Sequence, residues 1–279
     1  MMKACVIGWP ISHSRSPLIH GYWLKQHHIE GTYTRQPVEP EALAEFLSSL
    51  QANGYSGCNV TIPHKEHAYR LISPADQSTD RLGAVNTIFF RDGKALGTNT
   101  DGEGFINSLL NGAPDLALRN TRVVILGAGG ASLAIVNAML EQGVSEVAVL
   151  NRTREKAEHL RGRFGSCVRV GDWDKAAEHI SDCSLLVNTT SLGMKGQPDL
   201  MLDVTRLDPT AVVTDIVYTP LRTKLLEDAA RRGNRVVEGL GMLLYQAVRG
   251  FSLWFGVTPH VTSELYDLVA RDIDPDYRR

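Results

Sequence analysis

The sequence predicts an α/β protein, and three observations carry that expectation. Short apolar runs of strand length alternate with helix-length amphipathic stretches from end to end. The chain has 279 residues, near the size at which one hydrophobic core stops growing, so two domains are expected. A strand runs into a glycine-rich turn near the middle and opens a second series of strands and helices.

In the first hundred residues the strand patterns fall at 3–7, 32–36, 56–60 and 85–90. Helical patterns lie between them at 17–26 and 40–51, each opening on a proline, which is tolerated in a first helical turn. The second series has strands at 122–126, 146–150, 184–187, 211–216 and 235–237. Helices at 131–142, 154–164 and 221–232 intervene, which is the pattern of a doubly wound sheet. Residues 102–110 read as a connecting helix, 112–119 as a surface connector, 242–255 as an apolar helix, and the stretch after Pro259 as a final helix with no strand to pair. The expected division is 1–101, completed by the helices of 240–279, and 102–239 as a separate nucleotide-binding domain.

Composition narrows the functional classes. Apolar residues make up 43% and charged residues 22%, and the net charge is −2. Nothing in that balance favours nucleic acid or an anionic membrane as a partner. No apolar run approaches the roughly 18 residues that span a bilayer, and Met1 to Gly8 reads as a first strand rather than a leader peptide. Cys5, Cys58, Cys167 and Cys183 are scattered, without a metal-binding or disulfide spacing. The expectation is a cytoplasmic protein with reduced thiols, acting on a small molecule as monomer or homodimer.

The glycine-rich turn is Gly127-Ala128-Gly129-Gly130-Ala131-Ser132, between a strand and a helix. Gly127 permits the tight turn, Gly129 lets backbone approach a pyrophosphate, and the helix N-terminus offers N–H groups with a positive dipole end. The third glycine position of the motif is Ser132, and the order strand, turn, helix is what gives the motif weight. The following strand ends in Asn151-Arg152-Thr153, with Lys156 one turn further on. An NAD site usually places Asp or Glu here for the ribose 2′-hydroxyl, whereas a guanidinium and an ammonium suit a 2′-phosphate. A solvated basic helix start is the bland alternative; directly after this strand the pair favours NADP in a Rossmann-type domain.

Four polar clusters lie at or near strand ends in the first hundred residues, where open α/β sheets gather ligands. Ser14 and Ser16 precede a helix, where either could equally be a cap. Asn59 and Thr61 share a face of an extended segment, after which Pro63 ends the pattern and Lys65 enters a helix. An exposed lysine is the common role for that residue type. Asn86 sits in Gly83-Ala-Val-Asn-Thr87, and Asp101 in Gly97-Thr-Asn-Thr-Asp-Gly102, where it could also cap the next helix. Hydride chemistry on an alcohol needs a group that moves the hydroxyl proton, and a lysine beside a carboxylate supplies one. No metalloprotease helix motif, Cys/His cluster or serine-nucleophile elbow points elsewhere.

Together, Gly8-x-Pro-Ile-x-His-Ser-x-Ser-Pro17, Asn59-Val-Thr-Ile-Pro-His-Lys65, Gly83-Ala-Val-Asn-Thr87, Asn99-Thr-Asp-Gly-x-Gly104, the glycine turn, Asn151-Arg-Thr153, Asp215-Ile-Val-Tyr-x-Pro220 and Gly239-Leu-Gly-Met242 through Gln246-Ala247 resemble the shikimate/quinate dehydrogenase family, in the family's order and over nearly the whole chain. The resemblance implies NADP-linked interconversion of shikimate and 3-dehydroshikimate, a step of aromatic amino-acid biosynthesis. It implies Lys65 as the proton-transfer residue and Asp101 as its orienting partner. Ser14 and Ser16 would hold a carboxylate, and Asn59, Asn86, Asp101 and Gln246 would bind ring hydroxyls. Thr61 and Tyr218 would join the substrate pocket, and nicotinamide would lie near Ile216 and Gly239. The C-terminal helices would pack on the substrate domain. Three positions depart from the family: Leu133 where Arg is frequent, Gly21 where Asn is usual, and Lys156 where Arg is frequent. The alternatives are a quinate or dual-specificity enzyme, and a silent ligand sensor, which would be expected to lack Lys65 or Asp101.

Overall fold

The structure, a computed structural model, describes Met1 to Arg278. The chain divides into two compact units, Met1–Asp101 with Leu244–Val269, and Gly102–Leu243 with the residues from Ala270 on. The first unit therefore draws on part of the stretch 240–279 that the sequence assigns to it; residue 279 lies outside the described residues.

The first unit opens with β1 (Met2–Gly8), α1 (Ser16–Gln26), β2 (Gly31–Pro37), α2 (Leu43–Ser49) and β3 (Tyr55–Val60). It continues through α3 (Lys65–Leu71), β4 (Ser73–Pro74), α4 (Gln77–Leu82), β5 (Thr87–Arg91) and β6 (Lys94–Thr98). The sheet order is β2-β1-β3-β5-β6-β4, with β1, β2 and β3 parallel and β5 antiparallel to both β3 and β6. The expected helix at 40–51 is shorter, a 3₁₀ turn at Pro40–Ala42 followed by α2. The chain then reverses through Gly54 (φ 78°), and Tyr55 N–H donates to Leu50 O at 3.1 Å.

That sheet has one consequence for function. The carboxyl ends of β1 and β3 lie at one edge, and because β5 runs the other way, its first residue meets them there, with Asn59 opposite Thr87. β6 reverses again, so that Thr98 pairs with Thr87. All four polar clusters thus leave the sheet at the same edge. The core beneath is built from Cys5, Ile7, Cys58, Val60 and Ile88 of the sheet and Val85 just before β5, with Leu43, Leu47 and Leu50 from and just beyond α2. From the later chain, Phe251 stacks near His20 and Trp23, and Trp254 Nε1 donates to Ile88 O at 2.8 Å.

The helix α5 (Asp101–Gly112) leads into the second unit, where β7 (Arg122–Leu126), α6 (Gly130–Glu141), β8 (Glu146–Leu150), α7 (Arg154–Phe164) and β9 (Val168–Gly171) follow. After α8 (Ala176–His179) come β10 (Leu185–Asn188), β11 (Val212–Asp215), α9 (Lys224–Arg231) and β12 (Arg235–Val237); α10 (Leu240–Phe255) and α11 (Ser263–Ile273) follow in the chain, with Leu244–Val269 belonging to the first unit. Every pairing is parallel, in the order β12-β11-β10-β7-β8-β9. The order reverses between β7 and β10, which is where a doubly wound sheet opens a ligand crevice. Alternate residues explain the burial: Val123, Ile125, Val147 and Val149 enter one core, and Val124, Leu126, Ala148 and Leu150 the other. Among the described residues no helix is long and apolar enough to cross a membrane, and no group of three or more His, Cys, Asp or Glu could hold a metal ion.

Candidate functional site

The chemistry-bearing residues of the first unit meet at the shared sheet edge. Lys65 is the first residue of α3 and Asp101 the first of α5, and Lys65 Nζ donates to Asp101 Oδ2 at 2.5 Å. The other carboxylate oxygen accepts from Asn86 Nδ2 at 2.8 Å. Asp101 therefore has both oxygens fixed, one by an ammonium and one by an amide. Its side chain is 13% exposed and that of Lys65 29%, so the pair faces a partly screened space.

The amides are held in turn. Asn86 Oδ1 accepts Thr100 N–H at 2.9 Å, and Asn99 Oδ1 accepts Asp101 N–H at 3.0 Å. Asn59 donates through Nδ2 to Asn86 O at 3.2 Å and Thr87 Oγ1 at 3.0 Å, and its Oδ1 accepts from Tyr33 Oη at 2.5 Å. Thr100 Oγ1 donates to Gln246 O at 2.8 Å, which ties α10 into the network. Nearby in the chain, Ser14 Oγ donates to Ser16 Oγ at 3.2 Å, and Arg35 Nε anchors Ser14 O at 2.8 Å. Thr61 N–H donates to Ile7 O at 3.0 Å, which extends the β1–β3 ladder to the edge where these residues lie.

Buried beside Asn59 is His20, fully enclosed, with its ring stacked on Tyr33 at 4.0 Å. Among the described residues neither ring nitrogen has a hydrogen-bond partner. Burial depresses its pKa from the ordinary value to about 3, with Asn59 acting the other way.

In the second unit a cavity of about 240 Å³ lies at the reversal point, lined by Gly127, Ala128, Gly129, Asn151, Arg152, Lys156, Trp173 and Thr189 to Leu192. Gly127 adopts φ 107°, and a Cβ there would meet Thr189 Oγ1 at 2.6 Å, so this turn accepts no side chain. Cβ positions at Gly129 and Gly130 point into open space, which leaves backbone free to approach a ligand. Asn151 Oδ1 accepts Ala128 N–H at 3.1 Å, locking the end of β8 to the turn. The first-turn N–H groups of α6, among them Gly130 and Ala131, have no intrahelical acceptors and form a ready anion site. Glycine turn, helix end and two cations fit a dinucleotide bearing an extra phosphate.

Thr153, expected beside these residues, precedes α7 and accepts Asn151 Nδ2 through its carbonyl at 2.8 Å. Ile216 and Tyr218 lie on the loop after β11, and Gly239 packs so closely on that loop that a Cβ would meet Asp215 O and Val217 O at 2.6 Å. Of the departures, Leu133 packs against the core of the second unit, and Gly21 is open to solvent. Tyr33, Thr100, Trp173 and the segment Thr189 to Leu192 were not singled out from sequence; of these, Thr100 stood inside a quoted motif.

The chain matches known proteins over nearly its whole length. Residues 6–88 match the shikimate dehydrogenase substrate binding domain, 112–195 the shikimate/quinate 5-dehydrogenase model and 239–262 the shikimate 5′-dehydrogenase C-terminal domain. A shikimate dehydrogenase (NADP(+)) of Rhodopseudomonas palustris strain TIE-1 is 52% identical over 272 residues, covering 98% of this chain and 97% of the relative. The shikimate 5-dehydrogenase of Thermus thermophilus, solved with NADP(H) and shikimate, is 34% identical with a TM-score of 0.86, over 97% of this chain and 99% of that one. Quinate dehydrogenase from Corynebacterium glutamicum, solved with NAD, is 29% identical with a TM-score of 0.88, over 96% and 98% of the two chains. On these matches, which run over nearly its whole length, the chain belongs to the shikimate/quinate dehydrogenase family.

Proposed function

We propose that the chain is an NADP-dependent shikimate dehydrogenase, reversibly reducing 3-dehydroshikimate to shikimate in the cytoplasm. The observation that carries the reading is the Lys65 ammonium held on Asp101 Oδ2 at 2.5 Å, with Asn86 on the other oxygen. Lys65 has three donors, and spending one on Asp101 leaves two for a substrate oxygen. In the reductive direction, the ketone oxygen gains negative character as hydride arrives at its carbon, and Lys65 supplies the proton. Asp101 keeps Lys65 aimed and, with Asn86, offers polar contacts to a ring hydroxyl. Bound NADPH supplies the hydride.

Asn59, Thr61 and Gln246 complete a ring of groups suited to a polyhydroxylated acid, and Tyr218 is a further candidate substrate contact. Ser14 and Ser16 offer hydroxyl donors to its carboxylate. For the cofactor, Gly127, Ala128, Gly129, Gly130 and Ala131 receive the pyrophosphate, and Asn151, Arg152, Thr153 and Lys156 the adenosine 2′-phosphate. Ile216 and Gly239 provide the nicotinamide surface.

A dual shikimate/quinate specificity is the second reading, favoured by the likeness to a quinate dehydrogenase. Nicotinamide absorbance, with shikimate or quinate paired with NADP⁺ or NAD⁺, separates the two. Rapid reduction with shikimate and NADP⁺ alone is expected; comparable turnover of quinate would move the chain to the dual class. An NAD⁺ preference would remove the role given to Arg152, and no turnover of either acid would sink the assignment.

A further inference from the structure

The cofactor cavity has one aromatic wall, and the reading above gives it no task. β8 and β9 are register partners, with Leu150 opposite Gly171. Two residues beyond that pair, the first strand delivers Arg152 and the second Trp173, and both line the same cavity of about 240 Å³ with Lys156. The turn carrying Trp173 is fixed from two sides. Asp172 O accepts Lys175 N–H at 3.2 Å, and Arg154 Nη1 donates to Asp172 Oδ1 at 2.7 Å, tying the turn to α7. The Trp173 side chain is half-buried and packs against the core that contains Leu126, Leu150 and Ala176. It is therefore held in place at the cavity rather than loose on the surface.

We infer that Trp173 forms the purine-binding wall of this cavity, stacking on the adenine of the cofactor. The inference rests on the NADP reading of Arg152 and Lys156. If those cations hold the adenosine 2′-phosphate, the base on the same ribose lies within a few ångströms of them, and among the described residues Trp173 is the one aromatic side chain lining that space. An indole face suits a flat purine, and the interaction is indifferent to what the ribose carries. Arg152 and Trp173 thus divide the work: the guanidinium distinguishes NADP from NAD, and the indole binds the part both share.

The division is testable by calorimetric titration of the full chain with adenosine 2′,5′-bisphosphate and with ADP. Trp173→Leu keeps apolar packing but removes the π face, and Trp173→Phe keeps a smaller π face. Trp173→Leu should weaken both ligands by about tenfold and leave their ratio unchanged, while Trp173→Phe stays within about threefold of wild type. Arg152→Ala should weaken only the bisphosphate. Wild-type affinity for both ligands in Trp173→Leu would overturn the inference, as would equal losses in the Leu and Phe variants, which would mark a packing role. A change in the ratio caused by Trp173→Leu would overturn it too. Failure of the wild-type chain to bind the bisphosphate would instead sink the NADP reading, and this inference with it.

Discussion

Asn188 and Asp215 end neighbouring parallel strands as register partners, and Asn188 Nδ2 spans both carboxylate oxygens of Asp215 at 3.0 Å. Asp215 also accepts Val217 N–H at 2.9 Å and Thr223 Oγ1 at 2.7 Å, while Asn188 Oδ1 accepts Thr190 N–H at 3.0 Å. One buried pair thus fixes two loops: Thr189 to Leu192 at the cofactor cavity, and the segment carrying Ile216 and Tyr218. Because every partner of Asp215 is a donor, Asp215→Asn would turn an amide N–H against another donor. The expected cost is about 1–3 kcal/mol of stability, together with a raised KM for NADP⁺. Denaturant unfolding and steady-state kinetics check it; unchanged KM and midpoint would show that the loops hold their places without the charge.

Lys65→Ala should lower kcat by a factor of about 10²–10⁴, the usual range for a lost acid–base group. The KM for shikimate should change much less. A turnover near wild type would remove Lys65 from the chemistry.

Arg152→Ala should raise the KM for NADP⁺ by about tenfold and leave that for NAD⁺ nearly constant, since only the former carries the 2′-phosphate. Added salt should narrow the wild-type preference, because the contact lies among exposed groups. Equal losses on both cofactors would argue against a phosphate contact.

His20 makes folding acid-sensitive. The unfolded chain binds a proton there below about 6.5, whereas the buried ring, with a pKa of about 3, stays neutral. Over that window the unfolded state binds more protons, so stability falls as pH falls from about 6.5 toward 3. His20→Phe, which preserves the aromatic stack, should flatten the dependence in this range. Unfolding midpoints at pH 7 and pH 4.5 measure it, and equal slopes in both proteins would refute the assignment.

Asp76 acts in the same direction as His20, at lower pH. Burial works to raise its pKa, but Thr79 through side chain and backbone, Thr98 and Arg249 hold it below the ordinary value. As the N-cap of α4 it accepts Thr79 N–H at 2.8 Å, and Thr98 Oγ1 at 2.8 Å. Its contribution is complete above the unfolded carboxylate range near 3.9 and is lost as pH drops through the lower folded value. Asp76→Ala should cost about 1 kcal/mol at neutral pH, and the deficit should shrink in strong acid. A constant deficit across pH would mean that the carboxylate charge is not what stabilises this turn.

Much of the candidate site is legible in the sequence because its motifs are local. Lys65, Asp101 and Asn86 sit in short polar clusters whose residue types announce proton transfer, and the glycine turn reads directly as backbone geometry. The partners that hold them come from afar: Tyr33 reaches Asn59 from the next-but-one strand, and Thr100 reaches the Gln246 carbonyl across 146 residues of sequence. Such contacts depend on strand order, which no local pattern encodes. β9 is four residues long at a sheet edge, too short for its alternation to stand out. β6 was more readable than the strand list allowed: Asp92-Gly93 is the dipeptide of a two-residue hairpin, and φ is 52° and 72° at its two positions.

That hairpin also offers a practical handle on the enzyme. β5 and β6 each run five residues from the polar edge to the Asp92–Gly93 turn, about 17 Å at the usual strand rise. A dye, an affinity tag or new chain termini placed at this tip would sit at the far margin of the sheet from Asn86 and Asp101. Turnover could then be followed on a labelled or permuted protein whose candidate site has not been disturbed.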